Sequence, residues 1–100
     1  MNSEYIPSSY EVIEELGRAY RKYRRSIGLS QKDIHDKTGV ALSTISSFEN
    51  GRGQGLSLAH FVSMLDALSL REGIQDLVPE VSTVDLRKLW EEENGKDKRR

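Results

Sequence analysis

Residues 24–52 read RRSIGLSQKDIHDKTGVALSTISSFENGR. The stretch spells two short helices joined by a glycine turn. Ser30 stands directly before Gln31-Lys32-Asp33-Ile34, where its hydroxyl can satisfy the backbone N–H groups left open at a helix start, and Asp33 lies at capping-box spacing from it. A helix is therefore expected from Gln31 to Thr38, because Gly39 supplies the left-handed conformation that a tight turn needs. Val40 should then plug the corner. A second helix is expected to restart at Ser43 or a neighbour, with Ile45 and Phe48 on its inner face and Leu42, Ser43, Ser46 and Ser47 on its outer one. Helices of about eight residues are not stable in water by themselves, so flanking helices must hold both.

Those flanks are legible too. Upstream, Ser8 or Ser9 can cap a helix, with Ser8 and Glu11 at capping-box spacing, and Ile13, Leu16, Tyr20, Tyr23 and Ile27 recur at three and four as one apolar stripe. Downstream, Ser57 precedes Leu58, Phe61, Val62, Leu65 and Leu68 at the same periodicity, and Ile74, Leu77 and Val78 suggest a short fifth helix stopped by Pro79. The default expectation for these residues is core, with part of the last segment, Leu77 included, available for a contact between copies. Gly51-Arg52-Gly53-Gln54-Gly55 resembles a phosphate loop only superficially. It precedes no strand-helix unit, lacks the Gly-Lys-Ser/Thr ending and reads as a flexible turn. Beyond Pro79, Ser82 with Asp85, then Leu86, Leu89 and Trp90, then Asn94-Gly95 spell about three turns of amphipathic helix. Such a helix cannot bury its own face, so Leu86, Leu89 and Trp90 are expected to dock on their own core, on a second copy or on another protein.

The motifs, taken together, resemble the phage-repressor and Cro family of helix-turn-helix proteins, the XRE-like regulators. The resemblance runs over roughly residues 11–78 and is carried by Arg24, Gly28-Leu29-Ser30-Gln31, Gly39-Val40, Thr44-Ile45-Ser46, Glu49-Asn50-Gly51 and the leucine-rich run from Leu56 to Leu68. It implies an all-α fold, a compact five-helix repressor-type domain expected over residues 1–78; residues 79–100, which the resemblance does not cover, are expected from their own pattern to add a C-terminal helix and a basic tail. It also implies that Arg24 reaches Glu49, and that Leu42, Ser43 and Ser47 stand where the family meets base edges. One position departs from the pattern. The family usually has a small residue, often alanine, where this chain has His35, so the imidazole must swing outward or open the angle between the two helices.

Length and composition fit that reading. One hundred residues at 36% hydrophobic can close one modest core. The chain has no cysteine, which removes disulfide frameworks and thiolate metal sites, and neither His35 nor His60 has a partner at metal-ligand spacing. No serine sits in a Gly-x-Ser-x-Gly elbow, so an enzyme is not expected, nor is any cofactor. No apolar run approaches the roughly 20 residues a membrane helix needs, and no leader opens the chain; the simplest expectation is a cytosolic protein without a membrane partner. The net charge of −1 conceals a division along the chain. Residues 18–52 carry eight basic groups against three acids, whereas residues 1–17 carry four acids and no base. The positive block falls on the two-helix motif, as phosphate contact requires. The bland alternative is that Arg18, Arg21, Lys22, Arg24 and Arg25 form only the solvated face of the first helix.

The outer face of the second motif helix carries none of the usual bidentate base readers. Ala41 and Leu42 can press on thymine methyls, while Ser43, Ser46 and Ser47 offer one adaptable hydroxyl each. Phosphate contact is expected from Arg24, Ser30, Gln31, Thr44, Asn50 and Arg52. Such lean readout favours a homodimer on an inverted-repeat operator in double-stranded DNA, since two weakly reading half-sites multiply. The leading expectation is a repressor that controls its own operon. The alternative is an antitoxin of the HipB-like kind, whose acidic, Trp-bearing tail holds a toxin kinase encoded nearby.

Overall fold

The computed structural model describes residues 5–79 and 83–94, with side chains of the last segment described from 87 to 93. All the elements formed by the described residues are helices: α1 (Ser9–Ser26), α2 (Gln31–Thr38), α3 (Leu42–Glu49), α4 (Leu58–Ala67), α5 (Arg71–Gln75) and α6 (Thr83–Asn94). The starts follow the expected caps. Ser8 accepts from the Glu11 N–H while the Glu11 carboxylate accepts from the Ser8 N–H, a complete capping box, and Ser30 and Asp33 repeat it at α2. Ser57 accepts from the His60 N–H at the start of α4. Gly39 closes α2 with φ 78°, and its N–H returns to the His35 carbonyl. Helix α3 begins at Leu42, one residue before Ser43, with Ala41 at its N-cap.

The core is built where α1 packs on α3 and where α2 packs on α3 and α4. Ile34, Val40, Ile45, Phe48, Met64 and Leu68 are buried at its centre, with Tyr20 beside them. Complete burial of an aliphatic or aromatic side chain of this size stabilises by about 1.5–3 kcal/mol each, which is what holds two eight-residue helices that could not persist otherwise. Phe48 meets both Tyr20 and Phe61 edge-on, at ring-centroid distances of 5.7 and 5.8 Å. The Tyr20 hydroxyl donates to the Met64 carbonyl at 2.7 Å, joining α1 to α4.

Three expectations need correction. In α1 the stripe reaches the core only in part: Leu16 and Tyr23 are each 43% exposed and Ile27 47%. The crossing with α3 centres instead on Gly17, where a Cβ would run into the Phe48 carbonyl. That close approach turns Gly17, Tyr20 and Arg24 inward and leaves Leu16 and Tyr23 outside. In α4, Leu58 lies exposed in the first turn, before the helix reaches the core, and Met64 is the residue fully buried. Helix α5 ends at Gln75, short of Pro79, and Leu77 and Val78 beyond it are exposed. The glycine-rich turn after α3 is also less open than expected, since Gly51 and Gly53 are buried and Gly53 packs on the Phe48 ring. The expected cap Ser82, the stop Gly95 and the basic end Lys96–Arg100 lie outside the described residues, as does the side chain of Leu86. Leu89 and Trp90 on α6 are exposed.

Candidate nucleic-acid interface

The interface begins with the turn that aims α3. Ala41 provides no side-chain cap for that helix. Side chains of α2 hold the preceding residue instead. Thr38 Oγ1 accepts the Val40 N–H at 3.0 Å and donates to the Ile34 carbonyl at 2.7 Å. His35 Nδ1 lies 2.7 Å from the Val40 carbonyl oxygen. Because a carbonyl can only accept, Nδ1 must carry the proton in this bond. Both backbone groups of Val40 are thus satisfied from α2 while its side chain fills the corner. The imidazole is half-buried and turned toward the corner, where it staples the turn.

The far end of α3 is fixed by charge. Glu49 is 2% exposed and Arg24 6%. Arg24 Nε and Nη2 donate to the two carboxylate oxygens of Glu49, each at 2.7 Å, and Nη1 donates to the Leu29 carbonyl at 2.8 Å. Gln31 Nε2 adds a third donor to Glu49 at 3.0 Å. This fork is the bidentate geometry in which arginine and a carboxylate bind best. It ties α1, the start of α2 and the end of α3 into one rigid unit. Pairing with Glu49 pushes Arg24 further above its ordinary range, against the opposing effect of burial. Burial first, and then the negative charge of Glu49, push the Tyr20 hydroxyl well above the usual tyrosine range.

With both ends fixed, α3 offers a definite outer face. Ala41, Leu42 and Ser43 are exposed and Ser46 and Ser47 half-buried, and none of these five carries charge. Leu42 is 44% exposed, an apolar patch at the leading end of the helix. The Asn50 amide lies 3.4 Å from Ser46 Oγ, on the same exposed side. A shallow hollow beside the helix is lined by Ser43, Thr44, Ser47, Arg52, Gly53, Gly55 and Leu56. Among the expected phosphate contacts, it gathers Thr44 and Arg52 next to two of the expected base-edge serines. Ser30 is exposed at the start of α2, and Gln31, half-buried, divides its reach between that surface and Glu49. Arg24 belongs elsewhere. It is buried, and its guanidinium is committed to Glu49 and Leu29, so it supports the face from behind. The residue pattern did not assign Thr38 as a staple of the turn or Gly53 and Gly55 as walls of the hollow, and it marked His35 as a misfit without showing what the ring would bond. A small residue signals room but not what it faces, and a spacing of two between Thr38 and Val40 does not show that the hydroxyl bends back.

Two short helices held at a fixed angle by a stapled turn, the second presenting a polar face beside a basic loop, define a helix-turn-helix reader of duplex DNA. A family model described as helix-turn-helix matches residues 21–73, and the chain belongs to that family, whose XRE-type members are DNA-binding regulators. Neither a curated protein nor a solved structure matches it. Among the described residues no helix is long and apolar enough to cross a membrane.

Proposed function

We propose that this DNA-binding regulator is a homodimeric repressor, reading an inverted-repeat operator through α3 with its own promoter as the first target to test. The observation that carries the reading is the outer face of α3, which is exposed at its leading end and half-buried at Ser46 and Ser47, uncharged and poor in base-specific groups, beside Arg52 in the same hollow. A face of three serines and a leucine discriminates weakly, and duplication across a two-fold axis squares that discrimination. In this reading Ala41, Leu42, Ser43, Ser46 and Ser47 meet base edges. Ser30, Gln31, Thr44, Asn50 and Arg52 meet phosphates, and residues 1–78 act as the DNA-binding domain. Enrichment of bound duplexes from a random pool tests it. The expected product is an inverted repeat with half-sites about 34–36 Å apart, occupied by two chains. Enrichment of single half-sites occupied by one chain contradicts it.

A second reading rests on residues 79–100. Leu89 and Trp90 on α6 are 55% and 60% exposed, beside the acidic run Glu91-Glu92-Glu93. A surface of that composition suits a protein partner, such as the toxin kinase of a toxin-antitoxin pair, and the two readings can hold for one protein. Co-purification with the product of the neighbouring gene, lost on Leu89→Glu, supports the antitoxin role; no such complex removes it.

A further inference from the structure

We propose that the exposed half of the apolar arc on α1 is a self-association surface, on which a second copy of this chain lays its own α1 antiparallel. The apolar arc of α1 is wider than the arc its own core covers: Tyr20 faces inward, while Val12, Leu16 and Tyr23 are each more than 40% exposed and Ala19 lies exposed between them. Val12, Leu16, Ala19 and Tyr23 are spaced four, three and four, the alternation of a coiled-coil seam, and span two turns and more of an 18-residue helix. The helix meets its own core through the neighbouring face, at Gly17, Tyr20 and Arg24, and leaves that seam uncovered.

Charge selects the occupant and its direction. Residues 11–15 of α1 carry three acids and no base, and residues 18–25 carry five bases and no acid. Two copies side by side in parallel would set like charge against like. Turned antiparallel, each acidic half meets the partner copy's basic half. In the layering that keeps the apolar residues in contact, Val12 meets the Tyr23 position of the other copy and Leu16 meets Ala19. Glu15 then lies opposite Lys22 on the flank of the seam, twice by symmetry. Both Glu15 and Lys22 are exposed in the single chain. The contact is isologous, so it closes at two copies.

The test is sedimentation of the full chain without DNA, so its outcome is independent of the operator reading. A concentration-dependent dimer is expected. Leu16→Glu and Tyr23→Glu should each raise the dissociation constant about tenfold or more, with the helical circular dichroism unchanged because both side chains lie at the surface. Glu15→Lys and Lys22→Glu should each weaken the dimer, and the two together should restore it, because the swap re-creates opposite charges across an antiparallel pair. A chain that stays monomeric into the hundreds of micromolar overturns the proposal, as it would if α6 covered this face. So does a dimer indifferent to Leu16→Glu, or a double charge swap that fails to recover what the single ones lose.

Discussion

Arg24 and Glu49 are the residues on which the interface depends without belonging to its surface. Removing either one leaves a buried charge unpaired, at a cost of about 3–5 kcal/mol, whereas removing both also removes the orphan. Arg24→Ala and Glu49→Ala should therefore each lower the stability measured by urea unfolding, and the double variant should lose clearly less than the sum. Additive losses would show that the pair is not coupled. This contact was legible in the sequence only through the family resemblance, since nothing in a spacing of 25 residues places two side chains in bonding distance. His35 marks the opposite case. The pattern flagged it as a misfit between two close helices, and geometry explains it: the ring finds an acceptor, the Val40 carbonyl, that a small residue could not reach.

At the level of helices, the starts were readable and the buried faces less so. Capping boxes are local chemistry, complete within four residues, and so Ser8 with Glu11 and Ser30 with Asp33 fell where the sequence placed them. Both carboxylates are held below the usual carboxylate range, Glu11 chiefly by the Tyr5 hydroxyl and Asp33 chiefly by the Ser30 N–H. A depressed folded-state pKa stabilises above the unfolded value and is lost as pH falls through the folded one. Asp33→Asn should thus be less stable than the parent at pH 7, and the gap should close as pH falls below about 4. A gap that persists at pH 2 means that Asp33 acts otherwise than as a charged cap. The end of α4 yields a second expectation. Ser69 holds φ 61°, and the Leu70 N–H returns to the Leu65 carbonyl, at the position where α1 and α3 carry Gly28 and Gly51. Ser69→Gly should stabilise by about 0.5–1 kcal/mol in thermal unfolding, the strain relieved less the entropy glycine adds to the unfolded chain. What periodicity could not supply was how much of an apolar arc the core covers. The spacing in α1 reads as one stripe, yet Gly17 sets the line of closest approach, and a glycine has no hydropathy to announce it.

For the molecule as a whole, the two-helix motif and its leucine-rich neighbour were readable because a turn glycine, caps and apolar spacing all pointed to one arrangement. The total charge of −1 points the other way until it is divided, with the positive block on residues 18–52 and acids before and after it. That distribution makes DNA binding measurable through salt. Fluorescence anisotropy of a labelled duplex from the region upstream of the gene, titrated at several salt concentrations, separates the contributions. The parent should bind with log affinity falling linearly in log salt, by about 0.9 for each phosphate neutralised. Arg52→Glu should weaken binding to all sequences and flatten that slope by about 1. Ser43→Glu should abolish the preference for the upstream duplex over a scrambled one. Parental affinity in both variants, with no response to salt, would contradict the assignment of α3 and the Arg52 loop as the DNA-reading surface.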